Sequence, residues 1–261
     1  MEEKRAYKIA ILFLLGVVFL QWIFMATKPK VAPKISLKAP VAFKGEIAIV
    51  LDDWGYNLNN LEAVEKINVP ITCSVLPHLP YSKQVCVELH SRGQEAILHL
   101  PMEPREKMRL EKNTLLVSMD EAEGKNIIEQ GINELPFIKG ISNHMGSLAT
   151  EDAPTMEIVF KELKKRGMYF LDSFVTPKSV CAGLARKMGL RFVRRDVFLD
   201  NVEEPAYIKN QIERLKVKAR ANGRAIGIGH DRKVTLEVLG EVIPELKKEG
   251  YKFVFASELA R

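Results

Sequence analysis

The feature that most constrains this chain is an alternation that starts at Glu46 and runs to the C-terminus. Short apolar or β-branched runs recur at 46–51 (EIAIVL), 70–76 (PITCSVL), 95–99 (EAILH), 138–142 (IKGIS), 168–172 (MYFLD), 191–194 (RFVR), 225–229 (AIGIG) and 252–255 (KFVF). Runs of that length and composition fit strands. Amphipathic segments lie between them, for example 153–166, 203–222 and 234–249, and Gly93, Gly167, Gly223 and Gly250 stand where a helix C-terminus favours a left-handed residue. Strands separated by helix-length crossovers pair in parallel. Seven or eight βα units therefore predict an α/β fold with a mostly parallel sheet, doubly wound or closed as a barrel. About 220 residues outside the N-terminal segment is an ordinary size for a barrel.

The N-terminal segment follows a different pattern. Residues 9–26 (IAILFLLGVVFLQWIFMA) contain one strongly polar side chain, Gln21. As a helix this stretch spans about 27 Å, close to the roughly 30 Å of a bilayer core. It exceeds the usual apolar region of a cleaved signal peptide, and Phe24-Met25-Ala26 lacks the small residue that a cleavage site wants at its outer position. Residues 1–26 are thus expected to be an uncleaved signal anchor, making a single-pass protein of the cell membrane with its C-terminal domain exported. Residues 27–44 hold three prolines and five lysines and read as a basic Pro/Lys linker. Residues 45–261 are left as the functional domain.

The net charge of +6 invites a nucleic-acid reading. Its distribution removes that reading. Residues 1–38 carry seven basic and two acidic side chains, so residues 39–261 carry 32 against 31 and are nearly neutral. A duplex-binding domain needs its positive charge on the fold itself. Three cysteines without a C-x-x-C pair read as buried thiols.

No G-x-G-x-x-G, no G-x-x-x-x-G-K-[ST] and no G-x-S-x-G occurs, which sets aside the common phosphate cradles and the serine nucleophile elbow. Polar residues gather instead at the ends of the strand candidates. Asp52 and Asp53 end the first, His99 the third, Asn143-His144 the fourth, Asp172-Ser173 the fifth, Arg195-Asp196 the sixth and His230-Asp231 the seventh. In a parallel βα architecture those ends share one face, where active sites are built. Aspartates and histidines on an open rim suit a divalent cation, zinc being the best match to nitrogen and oxygen donors. The spacing points to metal-assisted hydrolysis, with a carboxylate as base and a histidine as acid.

Six segments, 49–56 (IVLDDWGY), 99–104 (HLPMEP), 143–147 (NHMGS), 171–173 (LDS), 194–200 (RRDVFLD) and 228–230 (IGH), resemble the divergent branch of the polysaccharide deacetylases over about residues 46–256. That resemblance implies an irregular (β/α)7–8 barrel that removes acetyl groups from an envelope polysaccharide or peptidoglycan. It implies Asp52 as catalytic base, His230 as general acid and Asp172 as an orienting residue. It assigns Asp53 and His99 to the metal. The family's second histidine, four residues after the first, is here Glu103; either Glu103 or His144 would complete the metal set, and imidazole favours His144. Trp54, Asn143 and Asp196 lie within the matching segments as substrate-side candidates, with Tyr56 and Phe174 as further aromatic platforms. The alternative is a barrel that binds glycan or an envelope protein without turnover.

Overall fold

A computed structural model describes residues 2–27 and 42–261. The chain divides into two units, Met1–Pro40 and Val41–Arg261. In the first, α1 (Glu2–Ala26) is a single helix of 25 residues, exposed throughout and long and apolar enough to cross a membrane. Residues 28–41, the body of the expected linker, lie outside the described residues.

The second unit is built from β1 (Gly45–Trp54), α2 (Leu61–Ile67), β2 (Thr72–Val75), α3 (Ser82–Ser91), β3 (Glu95–Met102), α4 (Glu121–Glu134), β4 (Gly140–Met145), α5 (Ala153–Arg166), β5 (Tyr169–Asp172), α6 (Cys181–Met188), β6 (Phe192–Arg194), β7 (Val197–Phe198), α7 (Pro205–Asn222), β8 (Arg224–His230), α8 (Lys233–Glu249), β9 (Tyr251–Phe253) and α9 (Ala256–Leu259). All eight expected strands form, and β7 joins them as a two-residue strand too short to register as a run. Helix ends follow local chemistry. Asp120 caps α4 through a reciprocal bond with Glu123, Asp152 caps α5, and α7 opens on Pro205 rather than at 203, because proline's fixed φ suits a first helical position. Gly167, Gly189, Gly223 and Gly250 end their helices in the left-handed region.

All strand pairs are parallel, in the order β6-β5-β4-β3-β2-β1-β8-β7, and β9 pairs with the start of β1. The sheet curls into an irregular barrel that stays open between β6 and β7. Strand alternation sorts side chains into two cores. Ile47, Ile49 and Leu51 face the helices; Ala48, Val50, Ile97, Tyr169, Leu171, Ile226 and Ile228 fill the inside of the curl. The C-terminal turn plugs the lower end, placing Val254, Ala256 and Leu259 among the interior residues. Buried Glu95 fastens this plug by accepting hydrogen bonds from the hydroxyls of Thr72 and Tyr169 and from the Ser257 N–H.

Candidate active site

At the upper rim the alternation is broken in one place. Asp52 continues the inward series of Ala48 and Val50, so Asp53 should turn out toward the helices. Instead the β1–β2 register shifts between Leu51 and Trp54, and Asp53 adopts φ +67°. This is a costly conformation for a non-glycine residue, of order 1–3 kcal/mol. The distortion turns both adjacent carboxylates toward the rim and hands the outward slot to Trp54, which is completely buried in the helix-side core. Trp54 therefore offers no platform to a sugar, contrary to the expectation from its place beside the motif.

His99 and His144 reach the same point from β3 and β4. Inward-facing Ser142, paired in register with His99, holds His99 Nδ1 at 2.7 Å through its hydroxyl. That leaves His99 Nε2 turned to the carboxylates, 3.4 Å from Asp53 Oδ1 and 3.6 Å from Asp52 Oδ2. His144 Nδ1 lies 3.0 Å from Asp53 Oδ1, and the two imidazole rings meet edge-on with centroids 5.0 Å apart. Asp53, His99 and His144 each bring one ligand atom within 4.8 Å of the others. Burial opposes the charge on Asp53, but the imidazoles of His144 and His99 hold its carboxyl well below the usual range.

Two features of this cluster fit a cation. The donor set, two imidazoles and one carboxylate, is the kind that holds zinc with a position left open. Asp53 Oδ1 is also buried without a hydrogen-bond partner, a costly state that a bound cation would relieve. Asp52 Oδ1 is buried without a partner as well. Burial pushes the Asp52 carboxyl above its ordinary pKa, and the charge of His99 opposes that rise.

His230, paired in register with Asp52, completes the rim. Its Nδ1 lies 2.9 Å from Asp200 Oδ1, and its Nε2 faces Asp53 Oδ2 at 3.8 Å. The other oxygen of Asp200 accepts the His230 N–H and the Thr235 hydroxyl. Burial opposes the charged forms, yet this bond raises the pKa of His230 and lowers that of Asp200.

Several sequence-level candidates sit elsewhere. Asp172 follows Leu171, an inward residue, and so points out toward the helix layer. Its carboxylate accepts the Phe174 N–H and the Ser179 hydroxyl rather than touching His230. Asp196 lies at the lower part of β8, where it accepts the Ile226 N–H. The partner of His230 is Asp200, the last residue of the segment that contains Asp196. Glu103 accepts the Val117 N–H at 2.7 Å and its carbonyl receives the N–H groups of Leu148 and Ala149, so it braces a loop and stands outside the ligand cluster. Asn143 is buried, donating to the Met145 carbonyl and accepting the Ser173 N–H, which fixes the turn after His144 rather than meeting substrate. Of the two other aromatics, Tyr56 is exposed and donates to Glu111, and Phe174 is half-buried beneath Arg194.

Residues 49–260 match the model of the divergent polysaccharide deacetylase family. The uncharacterized protein YibQ of Escherichia coli is 37% identical over 215 residues, covering 82% of this chain and 67% of YibQ. Among solved structures, the uncharacterized protein ATU2773 of Agrobacterium tumefaciens superposes with a TM-score of 0.79 at 22% identity, covering 85% of this chain and 92% of its own. BA3943 of Bacillus anthracis, described as a CE4 family pseudoenzyme, gives a TM-score of 0.52 at 15% identity over 83% of this chain and 65% of its own.

Proposed function

Because the chain belongs to the divergent polysaccharide deacetylase family, we propose that it is a metal-dependent deacetylase acting on an acetylated envelope glycan. The observation that carries this reading is the juxtaposition of an uncommitted buried carboxylate, Asp52, with the three-residue donor set Asp53, His99 and His144. Zinc held by those three residues would polarise an acetyl carbonyl and ease deprotonation of water.

The remaining chemistry belongs to side chains of this chain. Asp52 accepts the proton of the attacking water; its raised pKa and free oxygen suit a base. In its protonated form, favoured by its raised pKa, His230 donates Nδ1–H to Asp200 and presents Nε2–H to the site, from which it protonates the departing sugar nitrogen or oxygen and is left neutral. Ser142 fixes the ring of His99. Tyr56, exposed beside the rim, is the aromatic surface available to a sugar face. Helix α1 serves as the membrane anchor that keeps this domain at the envelope.

The test is release of acetate from N-acetylglucosamine oligomers by the zinc-loaded full chain in detergent. Turnover that disappears in Asp52→Asn supports the reading. A protein that binds zinc and the oligomers without releasing acetate is instead a glycan-binding barrel. BA3943, which has a similar fold, is described as a pseudoenzyme.

A further inference from the structure

The open seam between β6 and β7 contains a second set of chemically similar side chains. A cavity of about 910 Å³ occupies it, and neither Asp52 nor Asp53 is among its lining residues. Five arginines line this cavity: Arg186 from α6, Arg191 just before β6, Arg194 at the end of β6, Arg224 at the start of β8, and Arg261, whose backbone N–H and C=O pair with Phe192. The single acidic residue in the lining is Asp196, and its carboxylate already accepts the Ile226 N–H. This is a marked local excess in a domain whose charges otherwise nearly cancel.

An ordinary solvated basic face would show lysines or arginines paired with neighbouring carboxylates. Among the described residues, the arginine ion pairs are made by Arg92, Arg105, Arg166, Arg220 and Arg232, and by none of these five. Three of the five are also held in place, Arg194 by lying over the Phe174 ring. Arg191 donates to the Ser257 carbonyl and Arg224 to the Leu259 carbonyl, both at the plug of the curl. Each such guanidinium keeps several N–H donors for another acceptor.

We propose that this seam is a binding site for a phosphate-ester anion. Planar guanidinium forks match phosphate oxygens in pairs, and several around one cavity suit an anion with three or more acceptor oxygens better than a lone carboxylate. The cavity is far larger than an inorganic ion and lies in the range that holds an organic ligand. The lining also includes Leu190, Phe192 and Leu259, apolar surface for the organic part of such an ester. Two sources share this chemistry: the headgroup of an anionic phospholipid and a soluble phosphorylated sugar or polyol. Arg224 pairs in register with Glu46, next to the residue where β1 begins, so the seam reaches the lower end of the sheet. The lipid source rests on the anchor reading above; the soluble source does not.

The experiment uses the full chain and has two arms. In detergent, glycerol 1-phosphate is titrated by calorimetry against sodium chloride at matched ionic strength. In nanodiscs of phosphatidylglycerol or of phosphatidylcholine, hydrogen exchange is followed at residues 222–226 and 257–261. Saturable binding of glycerol phosphate, or protection in phosphatidylglycerol alone, is expected, and which arm responds identifies the source. Arg186→Gln/Arg261→Gln is the informative variant, because neither side chain holds the plug. It should weaken binding by about tenfold or more, the scale of losing charge-assisted hydrogen bonds, while zinc content stays unchanged. Absence of both responses, or equal binding by the variant, overturns the proposal. Neither result depends on acetate release, so failure here is separable from failure of the deacetylase reading.

Discussion

Asp200 holds His230 at two points: Oδ1 lies 2.9 Å from the ring Nδ1, and Oδ2 accepts the backbone N–H at 2.8 Å. One carboxylate thereby fixes both the tautomer and the position of the imidazole that faces Asp53. Asp200→Asn is expected to lower the His230 pKa, read from its ring proton shifts by NMR, and to reduce acetate release while zinc content holds.

The same pair gives a pH dependence of stability. His230 has a raised folded pKa, so its contribution is complete below its unfolded value of about 6.5 and fades as pH rises through the folded value. Asp200 has a lowered folded pKa, so its contribution is present above its unfolded value and fades as pH falls through the folded one. The wild-type advantage over Asp200→Asn in thermal unfolding should be largest between these limits and shrink on both sides. A difference independent of pH would contradict the ion pair.

Ser142→Ala removes the hydroxyl that holds His99 Nδ1. Loss of an outer partner of a metal-bound histidine typically costs 10–100-fold in metal affinity. Competition with a zinc chelator should show about that loss, with circular dichroism unchanged. Unaltered affinity would remove Ser142 from the metal's support.

Asp52→Asn should retain zinc and lower kcat by about 10²–10⁴, the usual worth of a positioned base. An equal loss of zinc would make Asp52 a ligand instead of a base.

Gly140→Ala tests how closely β4 and β5 pack. A Cβ there would stand 2.6 Å from the Tyr169 carbonyl oxygen and 2.7 Å from its ring. Backbone cannot yield as a flexible side chain does, so chemical denaturation should show a loss of about 1–3 kcal/mol.

The βα alternation was legible because parallel strands buried on both faces leave near-continuous apolar runs. The rim was legible for the same reason: Asp52, His99, His144 and His230 stand at strand ends and on the inward series. Asp172 and Asn143 share the strand-end position but fall on the outward series, and a run of four to six residues does not say which series faces in. Trp54 shows a different limit. Its burial depends on the left-handed Asp53, a distortion without a glycine to mark it. Asp200 was hidden by the brevity of β7, which ends two residues before it, so the segment read as one strand end with Asp196 in the prominent place. Ser142 left no trace, since a serine inside an apolar strand acquires meaning only from the histidine beside it across the sheet.

Asp53, His99 and His144 are expected to hold a divalent cation, with Glu103 taking no part. Metal content of the purified full chain, measured by plasma mass spectrometry for wild type, Glu103→Ala and His144→Ala, tests it most directly. About one zinc per chain is expected in wild type and Glu103→Ala, with little or none in His144→Ala. A metal-free wild type under zinc-replete conditions, or full occupancy in His144→Ala, would overturn this ligand set.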